Sequence, residues 1–475
     1  MRADLVLRNG TIVAPDRTLE RGWVAIAGEK VVAVDDAGVD PPESVRTLEL
    51  DGRVVLPGII DPHTHPGNYG MFADEVASET ASAALGGITT MMAIVKSTRL
   101  GGPFKALVEA EDVGSYLDVF EEGRAAVEGS SYVDVGFTFV VMGDLHADEI
   151  TRYATELGVT SFKFFPSNAQ TPWHRAIGTP STGDDGTLFL GLRNIAAIGG
   201  LASFHPENGQ VARVLERDVR ASGANGLEAW ARRSPGFLEA IDIRKVATIA
   251  ERTGTTIYPV HVNSSEGIDE IARTKAGGLP LIAETCPRYL VLTTEYDQEP
   301  VAYAKITPPA RSAEDRDRLW GALADGTLDS VGSDHSPMSR ESKNAEAGIW
   351  GARAGLGDTG TLLPLLLSEG VNAGRLSLRR LVEVCCEAPA RAFGLHPRKG
   401  AIAPGSDADL VVVDLTLTRP VRAAELRSIC DFSPYEGMNL TGWPVMTLLR
   451  GRTLLDDRDL PGVSFGTYLA RTPAT

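Results

Sequence analysis

The sequence predicts an α/β protein: a (β/α)8 TIM barrel with a small β-sandwich domain built from both termini. Strand-like segments with turn signals occupy both ends of the chain, and between them eight apolar strand-like segments alternate with helical ones. Four of the eight histidines stand at the ends of those eight segments. At 475 residues, 43% hydrophobic and 23% charged, the chain is long enough for two domains.

The chain begins with three segments that alternate apolar and polar residues: ADLVLRNGTIVAP, GWVAIAGEKVVAV and RTLELDGRVVLPG. Asn-Gly, Gly-Glu and Asp-Gly pairs mark the turns within them. The same texture returns in DADLVVVDL and PVMTLLRGRTLL near the other end. We therefore expect residues 1–57 and 395–475 to form one β-sandwich domain, and residues 58–394 to form the barrel.

The middle of the chain has the βα rhythm of a parallel sheet covered by helices. Helical segments such as EVASETASAALG and SSEGIDEIARTKAG open near Ser or an acidic residue and close on small residues or Gly. A doubly wound open sheet is the alternative, but no Gly-rich dinucleotide loop follows any strand. The eight predicted strands span 58–65, 88–96, 133–142, 161–166, 201–208, 255–262, 281–286 and 329–335.

Composition excludes several classes of function. Lys and Arg total 46 against 63 Asp and Glu, and the net charge of −17 disfavours nucleic acid and acidic membrane surfaces as partners. No apolar run reaches the roughly 18 residues of a membrane helix, and the first residues lack a signal-peptide pattern, so we expect a cytoplasmic protein. The four cysteines show no C-x-x-C spacing, which argues against a thiolate zinc site.

Candidate catalytic and metal-binding residues lie at the ends of the predicted strands. In such a barrel the catalytic groups stand at the carboxyl ends of the strands. His63 and His65, two residues apart, point to one side of a strand, as two ligands of one metal would. Hydrogen-bonded loop residues explain an isolated H-x-H equally well, but further candidate ligands end other strands: His205, His261 and Asp334.

Lys163 lies in the apolar run SFKFFP, where a charged amine is disfavoured unless it is paired or deprotonated. A neutral amine can add carbon dioxide, and the resulting carbamate can bridge two cations. The residues alone also allow Lys163 to reach solvent or to pair with Glu207 or Asp334.

Eight segments, in this order, resemble the cyclic amidohydrolases of the amidohydrolase superfamily: hydantoinases, dihydropyrimidinases, allantoinases and dihydroorotases. The likeness spans nearly the whole chain, and DDGTLFLGL and CDFSPYEGMNLTGWPVMTLLRG add hydantoinase- and allantoinase-like stretches. The segments are LPGIIDPHTH, GVTSFKFF, FHPENG, YPVHV, AETCPRYL, ITPPAR, VGSDHSP and GSDADLVVVD.

The resemblance implies a hydrolase that opens a cyclic amide (a hydantoin, a dihydropyrimidine or a related imide or ureide) with two divalent metal ions per chain, usually zinc. It places His63, His65 and Asp334 on one metal and His205 and His261 on the other. Lys163, carboxylated by CO2, bridges them. The two ions share a hydroxide that attacks the amide, and Asp334 carries its proton to the leaving nitrogen. Relatives imply a homodimer or homotetramer.

The sequence departs from the family where substrate binds. The hydantoinase tyrosine five residues after the lysine is Asn168, and the serine before the paired prolines is Thr307. Pro66 and Gly67 replace the dihydroorotase arginine, which disfavours dihydroorotate. We expect Asn168, Asn263, Thr307 and His335 to contact substrate, with Asn168 or Asn263 stabilising the oxyanion; Trp173 and His174 lie in a loop that lines the pocket or serves only as a lid.

Three alternatives remain at this point. An allantoinase is the nearest. A non-catalytic dihydropyrimidinase-related scaffold protein is a second, against which the complete ligand set argues. A hydrolase of open-chain amides or a deaminase is a third, which the hydantoinase-like segment 431–450 disfavours.

Overall fold

The computed structural model describes residues 2–96, 114–167, 182, 184–460 and 462–473. Strands are numbered along these residues. They are β1 (Ala3–Val13), β2 (Thr18–Ala27), β3 (Lys30–Asp35), β4 (Ser44–Glu49), β5 (Val54–Pro57), β6 (Ile59–Thr64), β7 (Ile88–Val95), β8 (Asp134–Val140), β9 (Ser161–Phe164), β10 (Leu201–Phe204), β11 (Thr256–Pro259), β12 (Glu284–Thr285), β13 (Ser330–Val331), β14 (Leu410–Pro420), β15 (Asn439–Leu449) and β16 (Arg452–Asp456).

Strands β6 to β13 form a parallel barrel. Six of them pair in the order β11-β10-β9-β8-β7-β6, and β12 pairs with β13. Two isolated parallel bridges close the ring, Ile257 with Leu281 and Thr64 with His335. All eight predicted barrel strands are therefore present, although β12 and β13 are only two residues long.

Helices cover the barrel strands. Their apolar faces belong to one large core that also contains the strand residues Ile88, Phe162 and Ile257. Within the described residues the α-helices span Phe72–Leu85, Phe120–Ser130, Asp144–Asp148, Ile150–Leu157, Asp185–Ala197, Gly209–Ala221, Gly226–Arg232, Phe237–Thr253, Ser265–Ala276, Pro287–Val291, Ala313–Asp325, Arg340–Lys343, Gly348–Gly351, Leu362–Leu365, Leu378–Val382 and Ala388–Ala392. Short 3-10 turns span Tyr116–Asp118, Val301–Ala304, Ala345–Ala347 and Ala423–Glu425, and π-helical turns span Leu366–Asn372 and Glu383–Glu387.

The two ends of the chain build one mixed sheet. Its order is β16-β15-β14-β5-β1-β2-β3, with β4 paired to β1, so β14 from the C-terminal part lies beside β5 from the N-terminal part. One face encloses a separate core that includes Leu7, Val24 and Leu410. The other face joins the barrel core through residues such as Leu56 and Val411. The sandwich from both termini is thus confirmed.

The last described residues leave the sandwich and pack on the barrel. Tyr468 bridges Val135 of β8 in parallel, and the Leu469 amide donates to the Val135 carbonyl at 2.9 Å. This stretch adds no strand to the terminal sheet, and the domain boundaries at 57/58 and 394/395 stay predictions. In the described part of the chain, no helix is both long and apolar enough to span a bilayer.

Candidate active site

Six predicted residues converge at one end of the barrel. His63 lies in β6 and Lys163 in β9, whereas the others follow their strands at the carboxyl end: His65, His205, His261 and Asp334. All six line a single cavity. The parallel barrel brings them together because its strands all end on the same side.

One group consists of His63, His65 and Asp334. The Nε2 atoms of His63 and His65 are 3.1 Å apart. Asp334 Oδ1 lies 3.3 Å from His63 Nε2 and 3.2 Å from His65 Nε2. One nitrogen or oxygen from each residue can therefore bind one metal ion. Among the described residues, this is the one group of at least three His, Cys, Asp or Glu side chains with that geometry.

The second group lies beside the first. His205 Nδ1 and His261 Nε2 are 2.8 Å apart, and the His261 ring stacks on His63 with centroids 5.5 Å apart. Both rings are buried. The two groups therefore form one continuous set of nitrogen and oxygen donors.

Lys163 lies between these groups with its amine buried. Its Nζ has no hydrogen-bond partner among the described residues and sits 5.5 Å from the centre of the Phe165 ring. The structure shows no ion pair with Glu207 or Asp334 in the described part, in contrast to the pairing that the sequence left open. Burial lowers the pKa of the Lys163 amine to about 8, although Glu284 and Asp334 oppose the shift.

Two buried carboxylates orient the histidines from behind. Glu284 Oε1 lies 2.8 Å from His63 Nδ1, and Glu207 Oε2 lies 3.1 Å from His205 Nε2. Each contact fixes the ring so that its other nitrogen faces the cavity, as in carboxylate–histidine–metal arrangements. Neither role was predicted from the sequence, although Glu284 lies in a predicted strand and Glu207 follows His205 by two residues.

Asp334 is held by a buried arginine. Arg288 Nη1 lies 3.4 Å from Asp334 Oδ2, and Arg288 Nη2 donates to the Ser333 and Asp334 carbonyls at 2.6 and 3.0 Å. Burial raises the pKa of Asp334, but His63, the hydrogen bond from His65 and Arg288 outweigh it and hold that pKa well below its usual range. Asp334 is therefore a carboxylate at neutral pH.

The backbone is strained at two of the candidate ligands. His261 and Asp334 adopt φ angles of 43° and 49°, which residues other than glycine rarely adopt. Such strain concentrates at functional sites, where the surrounding fold enforces it.

The donor set fits divalent metal ions. Burial lowers the pKa of His63 well below its usual range, so the ring is neutral, and its Nδ1 proton points to Glu284. The Nε2 lone pair then faces a carboxylate oxygen of Asp334, an arrangement that a cation between them stabilises. The buried Lys163 Nζ also lacks a hydrogen-bond partner among the described residues, as expected if a further group binds beside it.

The predicted substrate contacts differ in their position relative to the cavity. Thr307 lines the cavity, but Asn263 and His335 do not reach its wall. The Asn263 side-chain amide donates to the Pro309 carbonyl at 2.9 Å and its oxygen accepts from Arg311; its role as an oxyanion donor stays a prediction. Both His335 ring nitrogens are engaged, one with Glu79 at 2.7 Å and one with the Asp358 amide at 3.0 Å. Asn168, Trp173 and His174 lie outside the described residues.

The cavity wall also contains polar residues that were not predicted from the sequence. Asn68 and Tyr69 follow the ligand His65 closely in the chain, and Lys96 immediately follows β7. The position of Lys96 at a strand end was the available signal.

Comparisons with known proteins agree with this geometry. The chain is 34% identical to the L-hydantoinase of Paenarthrobacter aurescens over 98% of each chain. This chain belongs to the amidohydrolase family. The profile described as Amidohydrolase family matches residues 239–454 of this amidohydrolase, and the D-hydantoinase of Ralstonia pickettii is 33% identical over 98% of this chain and 99% of its own.

Solved structures of relatives share the whole fold of this amidohydrolase. The dihydropyrimidinase of Brevibacillus agri superposes with a TM-score of 0.87 at 29% identity, covering 99% of both chains. The L-hydantoinase of Arthrobacter aurescens gives 0.88 at 31% identity, covering 99% of this chain and 100% of the other. The predicted fold and the assignment as a hydantoinase- and dihydropyrimidinase-like cyclic amidohydrolase are confirmed.

Proposed function

We propose that this amidohydrolase opens a five- or six-membered cyclic amide of the hydantoin or dihydropyrimidine class, using two divalent metal ions. The observation that carries the proposal is the convergence of four histidines, Lys163 and Asp334 on one cavity. We assign His63, His65 and Asp334 to one ion and His205 and His261 to the other, with carboxylated Lys163 shared between them. When bound, the ions supply Lewis-acid activation of water and of the amide carbonyl.

Lys163 is suited to carboxylation. Because burial lowers its pKa to about 8, a fraction of the amine is neutral at physiological pH. The nitrogen lone pair forms a bond to the carbon of CO2 and the amine releases a proton, which yields a carbamate anion. The carbamate explains why Lys163 Nζ has no hydrogen-bond partner among the described residues. Its negative charge would offset the positive charge of the bound metal ions in the buried site.

Asp334 is the proton carrier in the proposed reaction. Its Oδ1 faces His63 and His65, and Oδ2, which lies 3.4 Å from Arg288 Nη1, keeps a second lone pair for proton transfer. Oδ2 takes a proton from the attacking water and donates it to the amide nitrogen as the ring C–N bond breaks. Arg288 holds both the backbone and the carboxylate of Asp334, so the carboxylate stays in place between these two steps.

Thr307, a predicted substrate contact, lines the cavity. Its hydroxyl donates to Glu207 Oε2 at 3.0 Å, and Arg233 Nη2 lies 3.1 Å from the same hydroxyl oxygen. Glu207 also orients His205, so one buried network fixes a metal ligand and a wall of the substrate pocket together.

A hydrolysis screen tests the proposal. Protein reconstituted with zinc is incubated with hydantoin, dihydrouracil, allantoin, dihydroorotate and succinimide, and the ring-opened products are quantified. We expect turnover of hydantoin or dihydrouracil that a chelator abolishes and zinc restores. Turnover of allantoin alone would favour the allantoinase alternative. Activity on open-chain amides only, or full activity without metal, would contradict the proposal.

A further inference from the structure

One hydroxyl group on the cavity wall has no hydrogen-bond partner in the described part of the chain. Three side chains with hydroxyl groups line the described cavity: Tyr69, Thr307 and Ser336. Tyr69 donates to the Ala354 carbonyl at 2.8 Å, and Thr307 donates to Glu207 at 3.0 Å. Among the described residues Ser336 forms a hydrogen bond through its backbone amide alone, so its hydroxyl is left to water or to a ligand.

The chain on both sides of this hydroxyl holds Ser336 in place. The Ser336 amide donates to the Leu356 carbonyl at 2.8 Å. The preceding His335 is fixed behind the cavity wall, with one ring nitrogen 2.7 Å from Glu79 and the other accepting from the Asp358 amide at 3.0 Å. Ser336 itself is buried. The position of Ser336 is therefore set before a substrate binds.

The cavity wall next to Ser336 has no side chain of its own. Gly355 lines the cavity there with a φ of 127°, and a Cβ at that position would lie 3.0 Å from Ser336 Cβ. Both backbone polar groups of Gly355 are already used, because its amide donates to the Lys305 carbonyl and its carbonyl accepts from Lys343 Nζ. The Ser336 hydroxyl is thus a polar group of this part of the wall that remains available to a substrate.

Ser336 also lies close to the proposed proton carrier. It follows Asp334 by two residues, which keeps the two Cα atoms within about 7 Å, and both side chains line the cavity. In the proposed function Asp334 gives its proton to the ring nitrogen that leaves. Ser336 is therefore on the side of the substrate that carries the leaving nitrogen. In a cyclic imide or ureide this nitrogen bears a second carbonyl group, which is not attacked.

We propose that the Ser336 hydroxyl donates a hydrogen bond to this second carbonyl oxygen. The inference rests on the proposed function and adds a catalytic residue to it. As the ring C–N bond breaks, its electron pair passes to nitrogen and is shared with the second carbonyl oxygen until Asp334 supplies the proton. A donor held at that oxygen stabilises charge that develops only in the transition state. The contact favours cyclic imides and ureides over lactams, which have a single carbonyl group.

Replacing one oxygen of the substrate by sulfur tests this contact. 2-Thiohydantoin differs from hydantoin only at the second carbonyl, and its sulfur is a weak hydrogen-bond acceptor. We expect zinc-loaded Ser336→Ala to lose about 10- to 100-fold in kcat/KM on hydantoin, the range of one hydrogen bond to a charged group, but at most about threefold on 2-thiohydantoin. Each variant is compared with wild type on the same ring, so the intrinsic reactivities of the two rings cancel. Dihydrouracil and its 2-thio analogue give the same comparison for a six-membered ring.

Three further variants separate the hydroxyl from the shape of the side chain. Ser336→Thr keeps a hydroxyl and should keep most of the wild-type ratio between the two rings. Ser336→Cys has nearly the shape of serine but a weak donor, and it should lose the ratio as Ser336→Ala does, including when the alanine variant fails to fold. Ser368→Ala removes a hydroxyl outside the cavity, 3.1 Å from Glu369, and should match wild type on both rings.

The outcomes distinguish this contact from the proposed function. An equal loss on both rings in Ser336→Ala and Ser336→Cys, or unchanged turnover of hydantoin in these variants, overturns the contact and leaves the proposed function intact. If the wild-type enzyme opens none of the four rings, the proposed function fails and the contact fails with it.

Discussion

In the proposed reaction, Asp334 combines two demands that compete at a single carboxylate. As a ligand it must be ionised, and the adjacent His63, His65 and Arg288 hold its pKa well below the usual range. As a proton carrier it must still accept a proton transiently, which a carboxylate with so low a pKa does only when the proton donor is itself activated. The site therefore needs an activated water for Asp334 to work.

Asp334→Asn separates these two roles. Asparagine keeps the size of the side chain and one ligand oxygen, but it cannot carry the proton. We expect turnover to fall by about 10²- to 10⁴-fold, the usual worth of a general base, while zinc content measured by elemental analysis changes less. Near-normal turnover would show that another group carries the proton, and since both ring nitrogens of His335 are engaged, that residue is not placed to do so.

Lys163→Ala tests the carbamate. The variant should lose most of its bound metal, because no other side chain among the described residues replaces the shared anion. Short-chain carboxylic acids that enter the vacated space should restore part of the metal content and activity. A Lys163→Ala protein that keeps two metals per chain and full turnover would contradict the carbamate assignment.

At the residue scale, the sequence predicted position better than direction. His63, His205 and Asp334 were predicted from strand ends, and the barrel brings them together because parallel strands end on one side. The side-chain directions of Asn263 and His335 could not be predicted, because each follows a candidate ligand with positive φ by one or two residues, where the regular alternation of a strand no longer holds.

At the scale of elements, β12 and β13 show how short strands serve the site. Gly332 follows β13, and a Cβ there would lie 2.7 Å from Glu284 Oε2 and 3.0 Å from His63 Cβ. The absence of a side chain lets Glu284 approach His63 closely. The predicted segments 281–286 and 329–335 were longer than these strands, because apolar composition does not reveal where the backbone turns towards the ligands.

Glu284→Gln tests whether the Glu284 side chain, in β12, orients the His63 ring for metal binding. Glutamine keeps the shape, and the Tyr258 hydroxyl, 2.9 Å from both Glu284 Oε2 and Ser330 Oγ, can accept from the new amide and donate to Ser330. Glutamine binds the His63 Nδ1 proton less strongly than a carboxylate does, so metal affinity should weaken by about 10- to 100-fold. Competition with a zinc chelator measures the change. The half-exposed Glu128→Gln is the control, and equal affinities in both variants would contradict the role of Glu284.

The two ends of the chain form a shared sheet, and the C-terminal end also packs against the barrel. Arg471 is buried against the barrel, where Nη1 donates to Ser161 Oγ at 2.8 Å and Nη2 donates to the Phe137 carbonyl. The sequence predicted the shared sandwich, but the short alternating stretch before Arg471 is equally typical of a further sandwich strand. Only the three-dimensional packing distinguishes the two, and the exact domain boundaries stay predictions.

A buried ion cluster joins the terminal part of the chain to the barrel. Lys399 Nζ lies 2.8 Å from Asp134 Oδ2 in β8 and 2.5 Å from Asp409 Oδ2, next to β14. Arg450, after β15, also pairs with Asp134. The side chains of Lys399, Asp134 and Asp409 are almost fully buried. Removing one cation here leaves a carboxylate in a medium that cannot solvate it.

Lys399→Met should therefore destabilise the protein by about 3 to 5 kcal/mol, the usual cost of breaking a buried ion pair from one side. Asp409 would keep only the hydrogen bond from the Arg450 amide. Lys30→Met removes a half-exposed lysine from Asp407, which keeps Arg398, so it should cost at most about 1 kcal/mol. Urea unfolding of both zinc-loaded variants measures the difference. Equal midpoints would show that the cluster contributes no more than a surface ion pair, whereas the expected gap, with turnover per bound metal unchanged, would identify it as a stabilising link between the barrel and the terminal sheet.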